Sequence, residues 1–211
     1  MPPPPPSAPE RVPFVPPVPP VPRPASWVDR VLTFLTIRRA APSPVRMPPP
    51  VAPEPAPVSV PMSESSLDRG LRQIRRTDPG FDPSRIVGYI GMVFRTAQGA
   101  WMAGDIGPLR DRVTSEMLGA MQAQCDRLRS AGRASRVADI EITATVTEAW
   151  QEDGRDYVTA HVSGSMIDYI LDEARGSVVE GSREIPREVE EFWTFTRVAG
   201  LNFWMLSAIQ T

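Results

Sequence analysis

Glu190-Glu191-Phe192-Trp193-Thr194-Phe195-Thr196-Arg197, followed by Asn202-Phe203-Trp204-Met205-Leu206, is the stretch of sequence on which the fold of this chain depends. In the first part, aromatic and threonine side chains alternate, and a period of two is typical of a β-strand. Residues 203–209 predict a second strand that is apolar on both faces. The short connection over 199–201 makes the two strands a hairpin candidate. We expect the rest of the folded domain to cover this hairpin.

Helices are predicted upstream of the hairpin. Asp82 followed by Pro83 is a typical helix start, and apolar residues continue at helical spacing until Gly104. Gly88 and Gly91 inside this helix predict a close approach of another backbone. Two further helices are predicted over 108–113 and 116–129, the second capped by Thr114 or Ser115.

Three more segments have features of strands. Residues 137–150 and 156–169 alternate between apolar and polar side chains, and Asp153-Gly154 between them is a hairpin turn signal. We interpret the stretch 172–181 as a polar turn region. Sequential strands with short turns pair antiparallel. The sequence therefore predicts an α+β domain in which helices pack on one face of a four-stranded antiparallel sheet.

The N-terminal part has a different composition. Of the 26 prolines, 22 lie at or before Pro61. Pro13, Pro16, Pro19 and Pro22 are spaced by three, which matches the polyproline II repeat. Such a segment is either a stiff, solvated spacer or a ligand for an aromatic-lined groove. We predict a proline-rich arm over 1–61, a linker with a short basic helix over 62–77, and a folded domain over 78–211.

One amphipathic segment, residues 26–39, interrupts the arm. Apolar residues at helical spacing and two terminal arginines predict a short helix, which is too short to be stable alone in water. It could dock on an anionic membrane or on a partner protein, or it could be an apolar stretch without such a role. The predicted docking residues are Trp27, Val31, Phe34, Leu35, Arg38 and Arg39.

Charge and composition exclude several classes of protein. Residues 1–80 carry 10 arginines and 6 acidic residues, whereas residues 81–211 carry 13 arginines and 19 acidic residues. An acidic domain is a poor candidate for nucleic-acid binding. The single cysteine, Cys125, excludes an intramolecular disulfide and is expected in the core. The N-terminus is not a secretory signal, and no stretch has the length of a membrane span, so we expect a soluble or peripheral protein.

A series of short motifs resembles a known family. The series is similar to the C-terminal domain of subunit 44 of the mitochondrial inner-membrane import translocase, and especially to its bacterial relatives, over about 75–211. The motifs are Asp78-Pro79-Gly80-Phe81-Asp82-Pro83, Ala100-Trp101-Met102-Ala103-Gly104-Asp105 with Leu109-Arg110, Val178-Val179-Glu180-Gly181-Ser182, Glu190–Arg197 and Trp204.

The resemblance implies a cone-shaped fold like that of nuclear transport factor two, with an apolar cleft between helices and a curved sheet. It implies a non-catalytic scaffold or adaptor that is peripheral to the cytoplasmic side of the inner membrane and binds a membrane protein, anionic lipid or both, without a cofactor or metal. Bacterial relatives commonly carry an N-terminal membrane helix, and here the arm has only residues 27–39. Six residues are predicted to line the core or the cleft: Ile90, Phe94, Trp101, Trp193, Phe195 and Trp204.

Catalytic candidates are few. His161 is the only histidine, and it shares a predicted strand face with Tyr157, Thr159 and Tyr169. A histidine among small polar side chains is more often a strand residue than a base. Asp168, Asp172 and Glu173 are expected on the surface near a turn. The alternative to an adaptor is therefore a small-molecule enzyme or ligand-binding protein of the same superfamily, with His161 or Tyr169 inside the cone.

Overall fold

The computed structural model describes residues 65–200 and 203–211, which form three α-helices and a five-stranded antiparallel sheet. The helices are α1 (Ser66–Thr77), α2 (Pro83–Ala103) and α3 (Ser115–Ser130). The prediction of a helix over 108–113 is wrong, because the chain forms only a 3₁₀ turn at Gly107–Leu109 and continues as an irregular turn. The strands are β1 (Arg133–Glu152), β2 (Arg155–Asp172), β3 (Val178–Gly181), β4 (Arg187–Val198) and β5 (Met205–Gln210).

The predicted α+β class is confirmed, and the predicted number of strands is corrected from four to five. The strand order is β1-β2-β4-β5, and the short strand β3 pairs with the end of β2. Residues 172–181 were interpreted as a turn because β3 is only four residues long and has no apolar alternation of its own. Its pairing with Tyr169, Ile170 and Leu171 stabilises it as a strand.

The helix starts follow from local capping. Ser65 accepts a hydrogen bond from the backbone N–H of Asp68 at 3.0 Å, so α1 begins at Ser66, within the range 62–77 in which a short helix is predicted. Asp82 accepts from Ser84 N–H at 2.9 Å, as predicted from Asp82-Pro83. Gly104 ends α2 at φ 64°, a left-handed conformation that glycine adopts without a steric penalty.

One expectation about glycines is wrong. A Cβ added at Gly88 or Gly91 would meet no atom within 4 Å, so no backbone approaches α2 at these positions. The close approach occurs in α1 instead, where a Cβ on Gly70 would lie 1.8 Å from the carbonyl oxygen of Ala149 in β1. Gly70 therefore lets the helix backbone rest directly on the strand.

Two register shifts interrupt the longest pair of strands. β1 has 20 residues and pairs with β2 along most of this length, with register shifts between Ala138 and Glu141 and between Val146 and Glu148. Asp139, at the first shift, has φ 49°. Bulges of this kind bend a strand and increase its twist. The turn to β2 has positive φ at Asp153 and Gly154, as the Asp-Gly signal predicts.

The core lies between the helices and one face of this sheet. Trp193 is fully buried, and its ring centroid lies 5.1 Å from that of Phe94 on α2. Phe195 is also fully buried, and Tyr89 packs against it edge-on at 5.9 Å. In the predicted hairpin, Trp193 of β4 lies opposite Ile209 of β5. The odd-numbered residues of β4 thus face the helices, and the even-numbered residues face the other side of the sheet.

Candidate functional site

A buried arginine joins three distant parts of the chain beneath the sheet. Arg197 of β4 is 3% exposed, and its Nε donates to Asp156 Oδ2 at 2.8 Å. Its Nη2 donates to Asp78 Oδ2, also at 2.8 Å. Asp156 is itself fully buried, and it accepts a further hydrogen bond from Gln151 Nε2 at 2.6 Å. Two carboxylates therefore hold one guanidinium in a site with little access to water.

The same guanidinium lies between two aromatic rings. Its central carbon is 4.5 Å from the ring centroid of Trp204 and 5.6 Å from that of Phe81. Cation–π contacts of this kind are strongest when the cation is desolvated. Asp78, Phe81, Arg197 and Trp204 belong to three of the short sequence motifs quoted above, so one contact network explains why these residue types occur together.

A second buried ion pair lies nearer the start of β4. Arg187 Nε donates to Asp168 Oδ2 at 3.0 Å, and the Asp168 side chain is only 5% exposed. The expectation that Asp168 is a surface residue is therefore wrong, because the arginine that pairs with it lies on a strand too distant in sequence to be recognised. Glu191, fully buried, accepts from Trp193 Nε1 at 2.9 Å.

The six residues predicted to line the core or a cleft all lie in the packed core. Ile90, Phe94, Trp193 and Phe195 are fully buried, and Trp101 and Trp204 are nearly so. Trp101 also borders a cavity of about 150 Å³ beside Cys125. None of the six lines the larger groove described next. Their predicted role as the wall of a binding cleft stays a prediction.

The larger groove, of about 750 Å³, lies on the sheet face that the helices leave uncovered. Its aromatic residues are Trp150, Tyr157 and Phe192, one from each of three neighbouring strands. The rings of Trp150 and Tyr157 stack at 4.9 Å with an interplanar angle of 5°. Phe192 is 40% exposed, although it is a large apolar side chain. We call this site the open-face groove.

Small polar side chains form the floor of the open-face groove. Thr159 and Thr194 face each other with their hydroxyl oxygens 3.0 Å apart. Thr147 Oγ1 donates to the Thr159 carbonyl at 3.3 Å, and Ser207 Oγ donates to the Thr194 carbonyl at 3.0 Å. The remaining lining residues are Glu148, Ala208 and Gln210. Glu148 is the only charged residue of the lining.

His161 lies on this open face and not under the helices. It pairs across β2 and β4 with Phe192, and the two rings stack at 4.9 Å. Its Nε2 is 2.5 Å from Glu190 Oε2, and the Glu190 side chain is 57% exposed. The enzyme hypothesis placed His161 inside the cone, so it loses its proposed base. Tyr169, its other candidate, has the Arg183 guanidinium over its ring at 5.6 Å.

Desolvation raises the pKa values of two titratable groups, the half-buried Tyr89 and the buried Cys125. Tyr89 on α2 donates its hydroxyl to the carbonyl of Trp204 at 2.8 Å, and desolvation raises the pKa of this phenol. Burial likewise raises the pKa of the Cys125 thiol, which is consistent with its predicted place in the core. Among the residues that the structure describes, His, Cys, Asp and Glu side chains form no group of three that could hold a metal ion.

The remaining predicted residues lie outside the described part of the chain. This applies to the docking residues Trp27, Val31, Phe34, Leu35, Arg38 and Arg39, and to the whole proline-rich arm. Within residues 65–200 and 203–211, no helix has the length and hydropathy needed to cross a membrane.

A helical layer on one face of an antiparallel sheet, with an aromatic groove on the other face, defines an α+β domain. A family model of the Tim44-like domain matches residues 67–211. This match covers more than half of the chain, so the protein belongs to the Tim44-like domain family. The resemblance inferred from the short motifs is therefore confirmed, and the match starts within α1.

Comparison with known proteins adds little beyond the family. Among solved structures, the intermembrane space region of the chloroplast protein ARC6 is similar at 11% identity with a TM-score of 0.46; the match covers 62% of this chain and 95% of that one. No curated protein matches the sequence. The family match identifies neither a partner nor a lipid for this chain.

Proposed function

We propose that this protein is a non-catalytic adaptor at the cytoplasmic side of the inner membrane, which binds an extended segment of a protein partner in the open-face groove. The groove is the observation on which this proposal rests. Its volume of about 750 Å³ lies within the range of about 300–1,000 Å³ typical of ligand sites. The partly exposed rings of Trp150, Tyr157 and Phe192 give it an apolar lining, and grooves lined by aromatic rings with a few polar groups are typical of binding sites.

The chemistry of the groove favours a peptide over an acyl chain. Its floor carries four hydroxyl groups, whose oxygen atoms can still accept hydrogen bonds from the N–H groups of a polypeptide. Its aromatic residues offer flat apolar surfaces with polar tips, as is common at protein interfaces. An acyl chain would leave these polar groups without new partners.

Attachment to the membrane is assigned to the arm in this proposal. Residues 65–211 carry 17 arginines and 21 acidic residues, so the folded domain is repelled by anionic lipid. The segment 26–39 has a tryptophan near its start and Arg38-Arg39 at its end, which suits an anionic interface. We propose that this segment contacts lipid while the domain faces the partner.

Flotation with liposomes tests the membrane part. The full chain is mixed with vesicles with and without cardiolipin, and is compared with the Phe34→Glu and Arg38→Ala variants. We expect the wild type to float with anionic vesicles and each variant to float several-fold less. Equal and negligible flotation of all three chains would contradict membrane attachment.

Quantitative affinity capture from native membranes tests whether a protein partner binds in the open-face groove. We expect Trp150→Ala in the full chain to lose partners that the wild type retains. Phe203→Ala is the matched control, because Phe203 is 81% exposed and does not line the groove. A partner set that is the same for Trp150→Ala and the wild type would contradict binding in the groove.

A further inference from the structure

We infer that the open-face groove binds the proline-rich segment 13–23 of the chain's own arm. The segment reads Pro13-Phe14-Val15-Pro16-Pro17-Val18-Pro19-Pro20-Val21-Pro22-Arg23. The arm would thus cover the groove and compete with a partner for it. This inference rests on one part of the proposed function, namely that the open-face groove binds polypeptide.

The repeat in residues 13–23 suits a groove that is lined by aromatic rings. Aromatic-lined grooves are the usual receptors for polyproline II segments, because the segment is already extended and loses little entropy on binding. In a polyproline II helix, Val15, Val18 and Val21 lie on one face and present a ridge every three residues. Trp150, Tyr157 and Phe192 supply the aromatic surface for such a ridge.

The length of the repeat is sufficient for the width of the groove. The groove crosses β1, β2, β4 and β5, and strands lie about 4.8 Å apart, so it is roughly 14 Å wide. Polyproline II rises about 3.1 Å per residue, so about five residues span the groove. The Val-Pro-Pro repeat over 15–22 is long enough to cross it completely.

The charges near the segment and at the groove are opposite in sign. Residues 11–24 carry Arg11 and Arg23 and no acidic residue. The lining of the groove contains one charged residue, Glu148, and no cation. Glu190 lies on the same face beside His161. Arg23 of the segment and Arg11 just before it are therefore opposite in charge to Glu148 and Glu190, and Arg155 on this face already donates to Thr196 at 3.1 Å.

The arm joins the folded domain close to the groove, at the start of α1. α1 crosses β1 at Gly70, whose backbone rests on the carbonyl of Ala149, the residue before Trp150. The helix start at Ser66 is only four residues from this contact, about 6 Å along the helix. The arm therefore leaves the domain at the edge strand that carries one wall of the groove.

The linker between Arg23 and Ser65 is long enough to round this edge. Its 41 intervening residues give an r.m.s. span of roughly 35 Å if flexible, and more if proline-rich. Tethering at this length gives an effective concentration on the order of millimolar. Even a weak interaction, with a Kd of about 100 μM for the free segment, would then leave the groove mostly occupied.

Photo-crosslinking in the full chain tests this inference. A benzoylphenylalanine replaces Phe14, and crosslinked peptides are identified by mass spectrometry at several protein concentrations. We expect crosslinks within one chain to the peptides that contain Trp150, Tyr157 or Phe192, with a yield that does not depend on concentration.

Variants on both sides of the contact make the test decisive. We expect the combined change Pro16→Ala, Pro19→Ala and Pro22→Ala to lower the yield about tenfold, and Pro48→Ala with Pro49→Ala to leave it unchanged. Because changes in the arm leave the folded domain intact, they remain informative if Trp150→Ala fails to fold. Absence of these crosslinks, crosslinks between chains only, or a yield insensitive to the three proline changes would overturn the inference. None of these outcomes bears on flotation or partner capture, so the proposed function is judged separately.

Discussion

Replacing Arg197 by methionine should destabilise the domain more than any surface change. The substitution keeps an apolar stem of similar length, but it leaves Asp156 buried without a cation. Removing one partner of a buried ion pair costs about 3–5 kcal/mol. Loss of the cation–π contact with Trp204 adds to this cost. We therefore expect a loss of about 4 kcal/mol out of a total stability of about 5–15 kcal/mol.

Urea unfolding of the full chain, followed by tryptophan fluorescence, measures this loss. In a domain of this size each kcal/mol corresponds to about 2–4 °C, so the melting temperature should fall by roughly 10 °C. Arg175→Met is the matched control, because the Arg175 side chain is 80% exposed; we expect a change within about 0.5 kcal/mol.

A double variant separates charge from packing. If the uncompensated carboxylate causes the loss, Asp156→Asn in the Arg197→Met background should restore about 1–2 kcal/mol, since it removes the buried charge. A loss below about 1 kcal/mol for Arg197→Met, or a double variant less stable than Arg197→Met alone, would refute the reasoning.

Four further predictions concern the helices and the residues packed between them and the sheet. Gly70→Ala should destabilise the domain because its Cβ would overlap a strand carbonyl, whereas Gly88→Ala, with no atom nearby, should stabilise it by about 0.5–1 kcal/mol; thermal melts of the two variants in parallel check this. Trp193→Ala should cost about 3–5 kcal/mol, and an unchanged melting temperature would mean that its strand is misassigned. The raised pKa of Tyr89 means that the folded state holds the phenol proton more tightly than the unfolded state. Stability should therefore be intact below the ordinary value of 10.0 and fall above it, and this alkaline loss should be smaller in Tyr89→Phe. The Cys125 thiol, with its pKa raised by burial, should react with a thiol reagent only as fast as the domain opens; rapid labelling of the native protein would contradict this.

The sequence predicts most of the fold because the main signals are local. Alternation in β4 and the Asp-Gly turn before β2 act through neighbouring residues, as do the Asp82-Pro83 start and Gly104 end of α2. Such signals do not require knowledge of what packs against the element. The short strand β3 escaped prediction because its partner strand, and not its own composition, makes it a strand.

The sequence by itself determined the order of the three α-helices and the four longer strands, the hairpin with Trp193 in the core, and the contrast between a proline-rich arm and an acidic domain. Only the tertiary structure decided that Asp168 is buried, that Gly70 and not Gly88 meets a backbone, and that the large groove lies on the open face of the sheet. Each of these depends on a contact between residues far apart in sequence, such as Asp168 with Arg187 or Trp150 with Phe192 across the sheet. Periodicity identifies the buried face of a strand, but it carries no information about which element, if any, covers the opposite face.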